Sequence, residues 1–240
     1  ARKIAMLSFR IAVRFLAGGR MMHPLYEEFL TYLESENRQQ CVDFALSRLS
    51  NNELDVVTLY DEILAPSMKE RLCRKTHKEI CVWEEHVRSS IVRTVIECCY
   101  PFVVKERGER YHSGLAGKMI VFCPKEEYHE IGARMVADFF SLCGFDSLFV
   151  GANTPHAEMI GAIGCVKPKY VAISVTNYYN LVAARKTVRQ MLEVRETSGA
   201  DFKIIVGGQA FERNPNMDKE MGADFLLSTF DDIRRLSQGK

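Results

Sequence analysis

Residues 118–140 read KMIVFCPKEEYHEIGARMVADFF and contain the pattern that decides the fold. The apolar run Met119–Cys123 has the length and composition of a buried β-strand. The second half spaces its apolar residues three and four positions apart, as an amphipathic helix does. The turn between them brings together a carboxylate (Glu127), an imidazole (His129) and a glycine (Gly132). The stretch therefore predicts a strand, a polar turn and a helix in succession.

The same alternation continues to the end of the sequence. Four more short apolar runs alternate with helical patterns, namely SLFVG (147–151), YVAISVT (170–176), FKIIVGG (202–208) and ADFLLS (223–228). Near-continuous apolar strands that alternate with amphipathic helices are typical of a parallel sheet covered on both faces. We therefore expect an α/β domain over residues 115–240, with a five-stranded parallel, doubly wound sheet of flavodoxin-like or Rossmann-like type.

Residues 21–110 have helical periodicity instead. Four stretches repeat apolar residues at three- and four-residue spacing, and Asn37, Asn51 and Asn52 lie at the breaks. This predicts a four-helix bundle that precedes the sheet as a cap. The polar, glycine-bearing segment 106–117 is expected to be a linker.

Residues 1–20 contain five basic and no acidic residues. We interpret them as a leader or upstream sequence, with an amphipathic targeting segment as the alternative. Their apolar runs are too short and too often interrupted by arginine to span a bilayer. They take no part in the functional argument.

The composition limits the classes of partner. Of 240 residues, 47% are hydrophobic and 26% charged, as in soluble globular proteins. The formal net charge of +1 is too small to indicate electrostatic binding to nucleic acid or to an anionic membrane. The eight cysteines include no CxxC pair. We therefore expect a cytoplasmic protein in a reducing environment, with no membrane or direct nucleic-acid partner.

Three groups of small or polar residues follow the predicted strands. Glu127 and His129 come after the first strand, Ser174 and Thr176 end the third, and Gly207–Gly208 end the fourth. Ligands of doubly wound sheets bind at these carboxyl ends. Each group also has an ordinary explanation, because loop histidines are often solvated, serines cap helices and Gly-Gly forms turns.

One ligand would need all three groups: a planar metal macrocycle with a long nucleotide tail, that is, a corrinoid. His129 would bind the metal, and Glu127 would accept the other ring N–H and fix the tautomer. Gly132, Ser174 and the glycine pair would leave room for the tail. The pattern therefore predicts a corrinoid site in which His129 is the metal ligand.

These residues resemble the signature of the cobalamin-binding domain family, which is shared by methionine synthase, corrinoid methyl-carrier proteins and cobalamin-dependent light sensors. That signature is DxHxxG, then a strand end containing Ser, then GG. Here it stands as Glu127-Tyr128-His129-Glu130-Ile131-Gly132, Ser174-Val175-Thr176 and Gly207-Gly208, with Glu in place of the usual Asp. The resemblance covers nearly all of residues 21–240, because such domains commonly follow a four-helix cap. It implies that the motif residues, Tyr128 included, bind cobalamin.

The cap carries a second resemblance. The segment KEICVWEEH (78–86) is similar to one in the caps of carrier and light-sensing members. It implies that Glu85 and His86 face the upper side of the corrinoid, although a solvated charge pair is the ordinary alternative. The family often has a tryptophan ten residues before that glutamate, where this chain has Lys75. Trp83 is a helical neighbour of His86 and is expected either to pack beside it or to belong to the core.

Three functions remain open at this stage. The first is a non-enzymatic sensor of an alkylcobalamin such as adenosylcobalamin, possessing a cap that responds to light or to ligand loss. Nothing before His23 is long enough to fold as a DNA-binding domain, so the sensor would signal through self-association or a protein partner. The second is a corrinoid carrier of methyl groups that serves methyltransferases, with methylcobalamin as its cofactor. The third is a flavodoxin-like or receiver-type domain without cobalamin.

We favour the sensor because four segments are more similar to light-sensing members than to carriers. These are EYHEIGARMVADFF at 127–140, GANTP at 151–155, ISVT at 173–176 and GGQAF at 207–211. The substitution of Lys75 for the shielding tryptophan favours the carrier instead, since a methyl group is small.

Overall fold

The computed structural model describes residues 22–69, 82–110, 116–212 and 216–239. The predicted leader and Lys75 lie outside these ranges. The first half is helical, and its elements are α1 (Tyr26–Glu34), α2 (Arg38–Ser50), α3 (Val56–Thr58), a π-helical turn (Leu59–Leu64), α4 (Ala65–Lys69) and α5 (Val82–Arg110). Because α3, the π-helical turn and α4 are continuous, these elements form four helical segments. We call them the cap, and they confirm the helical region expected before the sheet.

Local capping explains where the cap helices begin. The Asn37 side chain, at one of the predicted breaks, accepts a hydrogen bond from the Gln40 amide at 3.1 Å and so caps the start of α2. Asp55 accepts one from Thr58 at 2.7 Å in the same way. At the other end of the cap, α5 continues to Arg110 and so enters the stretch that we expected to be a linker. An i,i+4 contact between Lys105 and Glu109 supports this last part of the helix.

The second half alternates strands and helices. Its elements are β1 (Lys118–Pro124), α6 (Ile131–Leu142), β2 (Asp146–Thr154), α7 (His156–Val166), β3 (Tyr170–Ser174), α8 (Leu181–Ser198), β4 (Lys203–Gly207), α9 (Met217–Met221), β5 (Phe225–Leu226) and α10 (Phe230–Ser237). All strand pairs are parallel, and the strand order is β2-β1-β3-β4-β5. The predicted α/β fold with five parallel strands and a helical cap region is confirmed.

The sheet divides the apolar interior into two clusters. On one face, side chains of the cap, α6 and α10 pack against Val121, Ala172 and Ile205. On the other face, α7, α8 and α9 cover Ile120 and Ile204. The cap therefore shares a core with one face of the sheet. None of the described helices has the length and apolar character needed to cross a membrane.

A buried polar network joins the cap to α6. The Tyr60 hydroxyl donates to Asp138 Oδ2 at 3.0 Å, and Arg134 donates to Asp138 Oδ1 at 2.5 Å. Arg134 also donates to Glu97 of α5 at 3.0 Å. Asp138 is almost fully buried, so removing either donor would leave a carboxylate oxygen unsatisfied in the interior. The network thereby holds the cap in one position over α6, the helix that follows the loop carrying His129.

Candidate functional site

The strand order brings the three predicted motifs to one edge of the sheet. The motifs follow β1, β3 and β4, which are neighbours in that order. The loop after β1 is held by the end of β2, because the Glu126 amide donates to Asn153 Oδ1 at 2.9 Å. The Asn153 amide in turn donates to the Glu127 carbonyl oxygen at 2.8 Å. The loop that carries the histidine is thus anchored on both sides.

Glu127 lies beneath the histidine and is fully buried. Its Oε1 lies 2.6 Å from His129 Nδ1 and accepts the His129 amide at 3.0 Å. Its Oε2 accepts the amides of Thr176 and Asn177 at 3.0 and 2.8 Å, just beyond β3. Burial by itself would raise the carboxyl pKa, but the hydrogen bonds from His129 and Asn177 outweigh it and lower the pKa to about 2. Glu127 is therefore ionised at neutral pH.

An ionised Glu127 determines the tautomer of His129. A carboxylate only accepts hydrogen bonds, so Nδ1 must carry the proton and the neutral ring has its lone pair on Nε2. The side chain of His129 is 50% exposed and lines a cavity at the strand ends. The pair therefore presents an oriented imidazole that can bind a metal through Nε2, while the Glu127 carboxylate holds the ring through Nδ1.

The cavity has a volume of about 1050 Å³ and extends from the cap to the interior between the sheet and α6. Its deep part is apolar and includes Val121, Met135, Ala172, Ile205 and Ile233. Seven of the predicted motif residues line it: Tyr128, His129, Gly132, Ser174, Thr176, Gly207 and Gly208. Such a cleft, mostly apolar and with few polar groups, has the character and size of a cofactor site.

The three motif glycines have different reasons to be glycine. A Cβ on Gly207 would lie 2.6 Å from the Leu227 carbonyl oxygen, and one on Gly208 would overlap the backbone of Val175. Gly208 also has a φ of +103°, which side chains disfavour. A Cβ on Gly132 would meet nothing within 4 Å. The fold itself thus requires the glycine pair, whereas Gly132 leaves open space on the cavity wall.

The cap forms the roof of the cavity. Glu85 and His86, the predicted upper pair, are exposed and both line the cavity. Trp83 is absent from the cavity wall and its side chain is 49% exposed, so it does not pack into the core. Sequence reasoning missed Glu84, which lines the cavity and is only 8% exposed. Helical periodicity alone does not distinguish it from Glu85.

Comparison with known proteins agrees with this geometry. Residues 117–233 match the family described as "B12 binding domain". This part of the chain is a B12-binding domain. The match begins just before β1 and ends in α10, so it includes the whole sheet and every motif residue that follows a strand.

The chain is also similar to a curated relative and to a solved structure. The chain is 25% identical over 177 residues to the HTH-type transcriptional repressor CarA of Myxococcus xanthus, which is 73% of this chain and 56% of the repressor. The chain therefore spans little more than half of that relative. The monomethylamine corrinoid protein of Methanosarcina barkeri superposes with a TM-score of 0.74 at 16% identity, covering 90% of this chain and 97% of that one. At this identity the second likeness shows a common fold.

One contact links the histidine loop of the B12-binding domain directly to the cap. Arg93 of α5 pairs with Glu130 Oε1 at 2.9 Å, and Glu130 Oε2 accepts the Ala152 amide at 3.1 Å. Glu130 immediately follows His129 in the chain. A shift of α5 would therefore pull on the residue next to the imidazole. The sequence did not indicate this pair, because its members are 37 positions apart on separate elements.

The low pKa of Glu127 gives a testable dependence of stability on pH. A carboxyl whose folded-state pKa is about 2, below its ordinary value of 4.5, stabilises the fold above pH 4.5 and loses that contribution as the pH falls towards 2. The shift corresponds to about 3 kcal/mol. We expect the free energy of unfolding of the ligand-free protein to exceed that of Glu127→Gln at pH 6, and the gap to narrow as the pH falls. Urea unfolding at pH 6, 4 and 3 measures the gap, and a gap that stays constant contradicts the assignment.

Proposed function

We propose that this protein is a cobalamin-dependent sensor that binds an alkylcobalamin with His129 as the lower cobalt ligand. The observation that carries the proposal is the buried Glu127, which orients the His129 ring at the mouth of the cavity. When bound, cobalamin supplies a cobalt–carbon bond that light or exchange can break. The protein supplies one imidazole for the lower face and a cleft for the rest of the cofactor.

The deep part of the cavity fits the nucleotide tail. The tail would pass Gly132, where an added Cβ meets nothing within 4 Å, and Ser174 at the end of β3. The apolar wall of Met135 and Ile233 would exclude water from the buried base. With the base held in this part of the cavity, His129 could bind the cobalt.

The roof supports a sensor that recognises a polar upper group. Three polar residues line the upper part of the cavity, namely Glu84, Glu85 and His86. A methyl group cannot form hydrogen bonds with such side chains. The curated relative is a transcriptional repressor, which is consistent with a regulatory role. Since the chain carries a net charge of only +1, we propose that it signals through a protein partner or self-association.

The contact between cap and loop suggests how loss of the upper group is transmitted. An occupied roof would hold α5 in place, and with it the pair between Arg93 and Glu130. If the roof lost its ligand, α5 would be free to move and the pair would separate. A change in cap position would then alter the surface that the protein presents to its partner.

A corrinoid methyl carrier of a methyltransferase system is the second candidate. The observation in its favour is that Trp83 does not line the cavity, so this tryptophan does not shield a bulky upper group. In a carrier the cap would open to admit the partner enzymes, in the manner of a catalytic lid.

Reconstitution distinguishes the candidates. The ligand-free protein is mixed with adenosylcobalamin or methylcobalamin, and unbound cofactor is removed by gel filtration. A sensor should retain the adenosyl form, and green light should change its spectrum irreversibly together with the oligomer size. A carrier should prefer the methyl form and transfer its methyl group to a thiol in the presence of a partner methyltransferase. A colourless protein with both forms contradicts both candidates.

A further inference from the structure

Glu84 is a buried residue with one carboxylate oxygen, Oε1, for which the described part of the chain provides no donor. Its side chain lines the roof of the cavity and is 8% exposed. Its Oε1 is fully buried and accepts no hydrogen bond. Glu85, the next residue, is exposed and can be solvated where it stands. The fold therefore buries one carboxylate oxygen of Glu84 at the cavity, whereas the adjacent Glu85 stays exposed.

Such an arrangement is unfavourable in the ligand-free protein. Buried acceptors in native structures almost always have a hydrogen-bond partner, and leaving one without a partner destabilises the fold. Arg88 lies one turn further along α5, where an ion pair with Glu84 would be expected, yet it does not donate to Oε1. Arg93, another cation on this wall, already pairs with Glu130. A donor that enters the cavity would remove the penalty.

We propose that Glu84 accepts a hydrogen bond from an N–H or O–H group of the bound corrinoid on its upper face, an inference that rests on the proposed function. Two sources carry this chemistry. One is the set of amide side chains around the macrocycle, which every cobalamin possesses. The other is an upper axial group that bears hydroxyl or amino groups, as the adenosyl group does and the methyl group does not. Glu84 thereby acts as a specificity-determining residue of the roof.

The test measures cobalamin binding by visible spectroscopy for the wild type, Glu84→Leu and Glu84→Gln. Glu109→Leu is the matched control, since Glu109 is an exposed carboxylate on the same helix and does not line the cavity. We expect Glu84→Leu to raise the Kd by about tenfold to hundredfold, the range for losing a hydrogen bond to a charged acceptor. Glu84→Gln should raise it less, because its amide oxygen still accepts.

Stability of the ligand-free variants separates a binding role from a structural one. If Glu84 lacks a partner without cobalamin, Glu84→Leu should unfold at the same urea concentration as the wild type or at a higher one. A lower midpoint that Glu84→Gln restores would assign a structural role and overturn the proposal. The unfolding measurement requires no bound cobalamin.

Each binding outcome has one meaning. Equal weakening with adenosylcobalamin and methylcobalamin supports a contact to the amides of the macrocycle. Weakening confined to adenosylcobalamin supports a contact to the upper group. Unchanged affinity for both forms in Glu84→Leu overturns the proposal for Glu84 and leaves the cobalamin site intact. A wild type that binds neither form overturns the proposed function, and the inference with it.

Discussion

Replacing His129 by alanine is expected to weaken cobalamin binding by about a hundredfold or more. Loss of residues that merely orient a metal ligand lowers metal affinity by about tenfold to hundredfold, so loss of the ligand itself should cost at least as much. The bound form should also lose the visible spectrum of imidazole-ligated cobalt. Titration of the variant with adenosylcobalamin, followed by absorbance, measures both effects.

Two controls sharpen this experiment. His156 begins α7 and does not line the cavity, so His156→Ala should bind like the wild type. Free imidazole added to the His129→Ala protein should restore the spectrum of imidazole-ligated cobalt. The His129 side chain is 50% exposed, so the space that its ring vacates can be reached from solvent. The same spectrum and affinity in His129→Ala and the wild type would remove His129 from the ligand role.

Much of the site was predictable from the sequence because its residues follow the ends of parallel strands. The alternation of apolar runs and helical patterns indicated parallel strands, and parallel strands end at the same edge. Residues that follow three different strands, such as His129, Ser174 and Gly207, could therefore be placed together although they lie far apart in the sequence. The structure brings all three to the wall of one cavity.

The contacts that depend on side-chain direction were not predictable. The period of α5 does not tell which of Glu84 and Glu85 is buried, because the two are adjacent and the cap has to pack before either one is covered. The pair between Arg93 and Glu130 depends on how the cap sits on the domain, which local patterns do not encode. The sequence also suggested one steric reason for all the motif glycines, whereas backbone contacts that form only in the folded sheet give Gly208 a different one.

This difference between the glycines leads to the largest expected effect on stability. Gly208→Ala should lower the free energy of unfolding of the ligand-free protein by about 2–6 kcal/mol, combining backbone strain and overpacking. The strain arises because φ is +103° at this position, and the overpacking because the new Cβ would lie 2.9 Å from the carbonyl carbon of Val175. A typical domain has only about 5–15 kcal/mol to lose. Urea unfolding followed by circular dichroism measures the change.

Gly132 provides the opposite case in the same protein. Gly132→Ala should leave the ligand-free protein as stable as the wild type or more stable by up to about 1 kcal/mol, since alanine favours a helix and the Cβ meets nothing within 4 Å. Gly132→Leu should also fold, but its side chain would extend into the cavity where the tail is proposed to lie, and cobalamin affinity should fall.

If Gly132→Leu binds cobalamin as tightly as the wild type, the tail takes another path. If Gly208→Ala unfolds like the wild type, the close approach of β4 to Val175 is not what makes glycine necessary there. The two positions thus separate the glycine that the sheet needs from the one that the ligand needs.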